Sequence, residues 1–353
     1  MDHEEKSRGS FGLLLLALAI GAGGCASAPT TPDNPDKCGP NKPAPCVIAE
    51  VSPVQLIAGG GNIAAVTSGN PRSVQWISEA DLSSSIDKPA FVGTEATPFA
   101  VDSSSVYALG PAGNSLVVQP KGGSARVLAR RDQQAWLAGA LSTNDVWLAG
   151  LGLGAPKKSV ELWRVSRVTG TSEQVTTIAT KFMPFTIFDF ADAIAVGGDD
   201  VFVASGDGIY VLRGGNAPPV LLTAEPLTVN TIKVDATYVW WRTGISNSFT
   251  FCMFTCPPLP PRPASFLRRV PRAGGVVETV ATDVGTFAVF GDHLYGVSGS
   301  SILRIGGSND SVTIATIPMG IEQLVVDASG VYFVSRSRVA HGAEIWRADL
   351  ERR

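Results

Sequence analysis

Apolar residues along this chain fall into short runs closed by Gly, Asn, Asp or Ser, and one arrangement keeps returning: a polar turn followed by an apolar stretch. Aligned on that turn, it reads NIAAVTS at Asn62–Ser68, SSVYALG at Ser104–Gly110, NDVWLAG at Asn144–Gly150 and DDVFVAS at Asp199–Ser205. It continues as TYVWWRT at Thr237–Thr243, DHLYGVS at Asp292–Ser298 and SGVYFVS at Ser329–Ser335. Each copy stands second in a set of four apolar runs. In the sixth set these are Thr286–Phe290, His293–Ser298, Ser301–Gly306 and Ser311–Ile317, with Gly, Asn or Asp at the joins.

Four short strands joined by tight turns make one antiparallel sheet. Such a sheet buries both faces only between two others, and the stack must close on itself to leave no isolated end. Repeats spaced by roughly forty to fifty residues fit blades of a propeller. The pattern therefore predicts an all-β fold, a seven-bladed β-propeller, with six or eight blades as the alternatives. The two ends fit this picture. After the seventh copy, Ala343–Leu350 supplies only a third strand, while Cys46–Ser52 is an apolar strand preceding the first set, Val54–Thr94. Pairing of Val47–Val51 beside Glu344–Ala348 is expected to close the ring. Composition agrees: Gly 38, Pro 24 and only 17% charged residues favour short strands and turns, and leave room for short helices only.

The first residues change the expected address. Phe11–Gly24 is an apolar run, too short to span a bilayer stably, after a polar start containing Lys6 and Arg8. Ala22–Cys25, AGGC, resembles the bacterial lipobox, which implies a leader over 1–24 and a diacylated Cys25 as the mature N-terminus. Ala22 stands where Leu is usual, and Asp2, Glu4 and Glu5 offset the leader's positive charge. An ordinary cleaved leader with a spare cysteine is the alternative. Ala26 after the cysteine fits outer-membrane delivery. Residues 25–45, rich in Pro and Thr, cannot bury enough surface to fold and read as a tether. One propeller domain is then expected over 46–353. Cys38, Cys46, Cys252 and Cys256 form an even set, as disulfides require in an exported chain. Local pairs Cys38–Cys46 and Cys252–Cys256 are expected, with cross-pairing open. CMFTC has the wrong spacing for zinc and no nearby histidine, so neither metal nor cofactor is expected.

The repeat unit, best seen in FLRRVPRAGGVVETVAT at Phe266–Thr282, resembles the YWTD, NHL and TolB-like propellers, in the style of exported bacterial lipoproteins. The resemblance covers about Val47 to Leu350 and departs from the strict YWTD pattern in most copies. It implies a scaffold and no single reaction.

Candidate chemistry is sparse. The fifth blade carries a long insertion between its second and third strands, over 243–264, on the rim shared with the connections between blades. Phe249, Phe251, Met253 and Phe254 surround its cysteine pair, and Pro257–Pro263 should be stiff polyproline II. The loop either contacts a partner or folds back to plug the ring. The same rim should carry Lys181–Phe185 and Ser335–His341, where Arg336, Arg338 and His341 either receive an acidic ligand or form a solvated loop. Trp240 and Trp241 should point to opposite faces of one strand. Asp102, Asp235 and Asp327 should accept bonds from turn amides, and Asp199, Asp200 and Asp207 match no calcium loop. No G-x-S-x-G, H-E-x-x-H or P-loop occurs in the sequence. A net charge of −3 with scattered Lys and Arg argues against nucleic acid. The expected function is non-enzymatic binding of an envelope protein or glycan by a monomeric, lipid-anchored propeller. The alternative is an envelope lyase or hydrolase with His293 or His341 as acid/base in the central funnel.

Overall fold

The structure is a computed structural model. It describes residues 45–51, 54–59, 62–67, 74–77, 96–131, 135–152, 159–179, 193–225, 229–244, 265–306, 311–317, 320–336 and 343–350, all within the unit Asp36–Arg353. No α-helix lies among them, only 3-10 turns at Pro111–Gly113 and Arg213–Gly215.

The first strand, β1, is Cys46–Val51. Sheet 1 holds β2 (Val54–Gly59), β3 (Asn62–Thr67) and β4 (Val74–Ile77). Sheet 2 runs β5 (Thr97–Val101), β6 (Ser105–Leu109), β7 (Ser115–Pro120) and β8 (Arg126–Arg130). Sheet 3 is β9 (Trp136–Leu141), β10 (Asp145–Gly152), β11 (Ser159–Ser166) and β12 (Ser172–Ala179). Sheet 4 is β13 (Ile194–Gly197), β14 (Asp200–Ser205), β15 (Gly208–Leu212) and β16 (Val220–Ala224). Sheet 5 is β17 (Val229–Val234), β18 (Tyr238–Thr243), β19 (Phe266–Pro271) and β20 (Glu278–Thr282). Sheet 6 is β21 (Phe287–Phe290), β22 (His293–Ser298), β23 (Ser301–Ile305) and β24 (Ser311–Thr316). Sheet 7 joins β25 (Ile321–Asp327), β26 (Gly330–Arg336) and β27 (Ala343–Ala348) to β1.

The fold is an all-β propeller. The expected seven blades are corrected to six, the alternative count: six sheets are four-stranded, and the first set forms only a three-stranded sheet, β2–β4, among the described residues. Pro89–Thr94, expected as its fourth strand, lies outside them. The recurring turn-plus-strand stretch is the second strand of every sheet. Its unbroken apolar character has a physical cause: a second strand is covered on both faces, as in β6, where all residues are buried. Outer strands such as β16, largely exposed, lack that constraint.

The core lies between adjacent sheets rather than within any one of them. Trp241 packs into the cluster shared by sheets 3, 4 and 5, while Trp240 joins the cluster between sheets 5 and 6. These tryptophans are 0% and 6% exposed, so both faces of β18 are buried, as strand alternation requires. Leu56, Ile63 and Ala65 of sheet 1 share a further cluster with Tyr332, Val334 and Ile345 of sheet 7. β1 pairs antiparallel with β27, with Val47 opposite Trp346 and Val51 opposite Ala343, across a register shift between Val47 and Ala49.

Candidate functional site

First strands of sheets 1, 2, 5, 6 and 7 line a partly open cavity of about 250 Å³ near the propeller axis. Ile57, Phe99, Phe287, Leu324 and Val325 give it an apolar wall, with Lys233 as its cation. Among the described residues that line it there is neither a histidine nor a carboxylate. Its polar amides tie sheets together instead: Gln55 Nε2 donates to the Pro98 carbonyl at 2.8 Å, and the Leu56 amide donates to Gln323 Oε1 at 2.7 Å. Phe99 lies across Gly139, where a Cβ would stand 2.4 Å from the ring, so only glycine leaves room for it. A second cavity, about 410 Å³, follows the first strands of sheets 1 to 6 and reaches Asp102 and Arg167 on one rim.

That rim carries the turns between first and second strands. Asp102 accepts from the Ser104 and Ser105 amides at 2.6 and 2.8 Å, Asp235 from Thr237 and Tyr238 at 2.7 and 2.6 Å, and Asp327 from Ser329 at 2.8 Å. The turn role expected for these three aspartates is thus observed. A feature that the sequence did not reveal is the cation that clamps neighbouring sheets here. Arg167, just after β11, forms an ion pair with Asp102 of sheet 2 and donates from Nε to the Tyr107 hydroxyl at 3.0 Å. Arg272, just after β19, reaches Asp200 of sheet 4 at 3.3 Å, and Arg213 meets the same carboxylate at 2.6 Å. Lys121, just after β7, lies 5.3 Å from the Trp76 ring centre of sheet 1. A basic residue directly after the third strand, shortly before a glycine, is the sequence signal that could have found them.

Turn donors set the electrostatics at Asp102, and the clamp cations join them at Asp200. Burial raises the Asp102 carboxyl, but bonds from the Ser104 amide and hydroxyl, the Ser105 amide and Tyr107 outweigh it and leave the pKa below its ordinary value. Burial likewise opposes the lowering at Asp200, where the Gly214 amide, Arg213 and Arg272 prevail. The Tyr107 hydroxyl moves up, through burial first and then through the neighbouring Asp102 charge, against the pull of Arg167.

The opposite rim, where the second strands end, is fastened by carboxylate–indole clusters. Glu225, almost fully buried, accepts from Trp241 Nε1 at 2.8 Å and pairs with Arg268 at 2.7 Å. Glu161 accepts from Trp163 Nε1 at 3.3 Å and pairs with Arg131, whose guanidinium lies 4.6 Å from the Trp163 ring centre. Glu344 accepts from Trp346 Nε1 at 3.1 Å. The insertion at 243–264 leaves this rim from a fixed root: Thr243 is buried and stands opposite Phe266. Phe249, Phe251, Met253, Phe254, Cys252 and Cys256 lie outside the described residues, as do Cys25, Cys38, Arg338 and His341. Arg336 ends β26 opposite Ala343, and Cys46 opens β1 opposite Arg347.

His293 is not in the funnel that the enzyme alternative requires. It opens β22 on the rim of the aspartate turns, exposed and 6.5 Å edge-on to Tyr295. There it lines a groove of about 720 Å³ between sheets 5 and 6, together with Asp235, Tyr238, Trp240, Asp292 and Gly306. Among the described residues no three His, Cys, Asp or Glu side chains gather as a metal site would need.

No protein-family model matches this chain, nor does any curated protein. Solved structures do resemble it. Virginiamycin B lyase from Staphylococcus aureus, in a catalytically inactive form with quinupristin, is 12% identical, with 85% of this chain and 98% of that one covered at a TM-score of 0.55. Oligogalacturonate lyase in complex with manganese is 8% identical over 83% and 86% of the two chains, at 0.52. BamB from Moraxella catarrhalis is 12% identical over 85% of both, at 0.51. At such identities the likeness is one of fold.

Proposed function

We propose that this chain is an exported, lipid-anchored β-propeller that binds an envelope protein or glycan without chemical conversion, through the rim bearing the insertion at 243–264. The layout is a leader over 1–24, lipidation at Cys25, a tether to residue 45 and a propeller from 46, with local disulfides Cys38–Cys46 and Cys252–Cys256. Pairing of β1 with β27, and the core shared by sheets 1 and 7, support closure of the propeller at its ends. One observation carries the binding reading: the axial cavity is walled by apolar side chains, with no histidine or carboxylate among its described lining residues. A rigid rim with a long loop rooted at Thr243 suits recognition. Phe249, Phe251, Met253 and Phe254 would make the contact, with Arg336, Arg338 and His341 on the same rim.

The second reading, a lyase or hydrolase, is favoured by two lyases among the similar structures and by His293 beside Asp292 in the groove between sheets 5 and 6. Affinity capture from envelope preparations, with the full chain and with a chain lacking 245–264, tests the first. Loss of a captured partner on deletion is the expected result. Unchanged capture would move the binding surface away from that loop.

A further inference from the structure

Two arginines that follow a third strand, Arg167 and Arg272, reach a carboxylate of the preceding sheet, and no such contact crosses the groove between sheets 5 and 6 among the described residues. In sheets 2, 3, 4 and 5 the residue following the third strand is Lys121, Arg167, Arg213 or Arg272; in sheet 6 it is Gly306, which has no side chain. The stretch Gly306–Asp310 contains neither Lys nor Arg. Sheet 5 nevertheless presents the receiving half of a clamp. Asp102 and Tyr107 of sheet 2 receive Arg167, whose guanidinium lies 5.3 Å from the tyrosine ring centre. Asp200 and Phe202 of sheet 4 receive Arg272, 5.8 Å from the phenylalanine ring centre. Asp235 and Trp240 occupy the positions of Asp102 and Tyr107 in the repeat, and both line the open groove.

The acid in this half-clamp is held ready. Two turn amides fix Asp235 Oδ1, and Trp240 Nε1 donates to Oδ2 at 2.6 Å, which leaves acceptor capacity on a carboxylate with about four lone-pair sites. Arg269 of the same sheet stacks at 4.3 Å on Tyr238 and 5.2 Å on Trp240, but its partner is Glu278 at 2.7 Å. Among the described residues no guanidinium pairs with Asp235. Arg304, His293 and Asp292 stand on the facing wall.

We propose that this groove receives one arginine side chain of a partner polypeptide, with Asp235 as its carboxylate, beside the aromatic pair Tyr238 and Trp240 that Arg269 already covers from its own sheet. Arginine is the fitting residue because Asp102, at the same repeat position as Asp235, is met by Arg167 of the next sheet, and Asp200 of sheet 4, three positions further along the repeat, is met by Arg272. The site rests on the reading of the chain as a binding protein, and lies on the rim opposite the insertion.

The test titrates the full chain with a capped Gly-Ser-Arg-Ser-Gly peptide and with the same peptide carrying citrulline, a neutral isostere, with affinities read from chemical-shift changes. The arginine peptide should bind on the order of tenfold tighter. Asp235→Asn, which can still accept the turn amides, should erase that preference. Gly306→Arg, which installs the clamp of the other sheets, should abolish binding and raise the melting temperature. Equal binding of the two peptides, binding of neither, or an arginine preference untouched by both variants would overturn the site. If Asp235→Asn fails to fold, Gly306→Arg carries the same comparison. A chain that captures an envelope partner yet shows no arginine preference keeps the binding function and loses this groove.

Discussion

At the residue scale the clamps between sheets are the most testable feature. Arg167 serves Asp102, the Tyr107 hydroxyl and the Thr143 carbonyl together. Arg167→Ala leaves a half-buried carboxylate without its cation and should cost about 1–3 kcal/mol in urea unfolding. A cycle with Asp102→Asn should show the two losses to be non-additive. Acid should weaken the same contacts. Both Asp102 and Asp200 titrate below the ordinary carboxylate value when folded. Their stabilisation is complete above the unfolded value, about pH 4, and is lost as the pH falls through the lower folded values. Urea midpoints followed from neutral pH downward should hold until about pH 4 and then fall, with a shallower fall in the double Asp→Asn variant. The turn aspartates were legible in the sequence because their partners lie two or three residues away. The clamps were not, because Arg167 and Asp102 are separated by 65 positions and Arg272 and Asp200 by 72.

At the element scale, the second strands were legible because burial on both faces writes itself as an uninterrupted apolar run. The first strands carry a subtler fit. Gly139 of β9 accepts the Phe99 ring from β5. Gly139→Val should therefore displace Phe99 and destabilise the fold by about 1–3 kcal/mol, and Phe99→Ala in the same chain should restore part of the loss by removing the clash. Denaturation of the three variants side by side decides this. The number of complete blades was less legible. Val74–Ile77 forms a strand of the first sheet as its apolar run suggested, while Pro89–Thr94, read as the fourth, lies outside the described residues.

At the scale of the whole molecule, the pairing of β1 with β27 governs what truncation does. Removal of residues 1–45 should leave the melting temperature unchanged. Removal of residues 1–51 should lower it and promote aggregation, because β27 then exposes an unpaired edge. Thermal melts and size-exclusion profiles of the two truncations separate these outcomes. Cys25→Ser should move the chain from the membrane pellet to the soluble fraction, as follows if acyl chains on that cysteine supply the anchor. The insertion at 243–264 was legible by its length, which is plain in a repeat, while its expected contacts and cysteine pairing lie outside the described residues. The groove between sheets 5 and 6 was not legible, since its lining comes from residues far apart in sequence, Asp235 to Val312, and gains meaning only beside Arg167 and Arg272.

The seam between the polypeptide's ends also sets an order of events during synthesis. Sheet 7 needs Cys46 and Arg347 opposite each other, so it stays incomplete until residue 347 has been synthesised. The earliest strand waits, unmatched, while the rest of the chain emerges. The contact most distant in sequence is therefore among the final ones to form, and folding of this sheet waits on nearly the whole of the described chain.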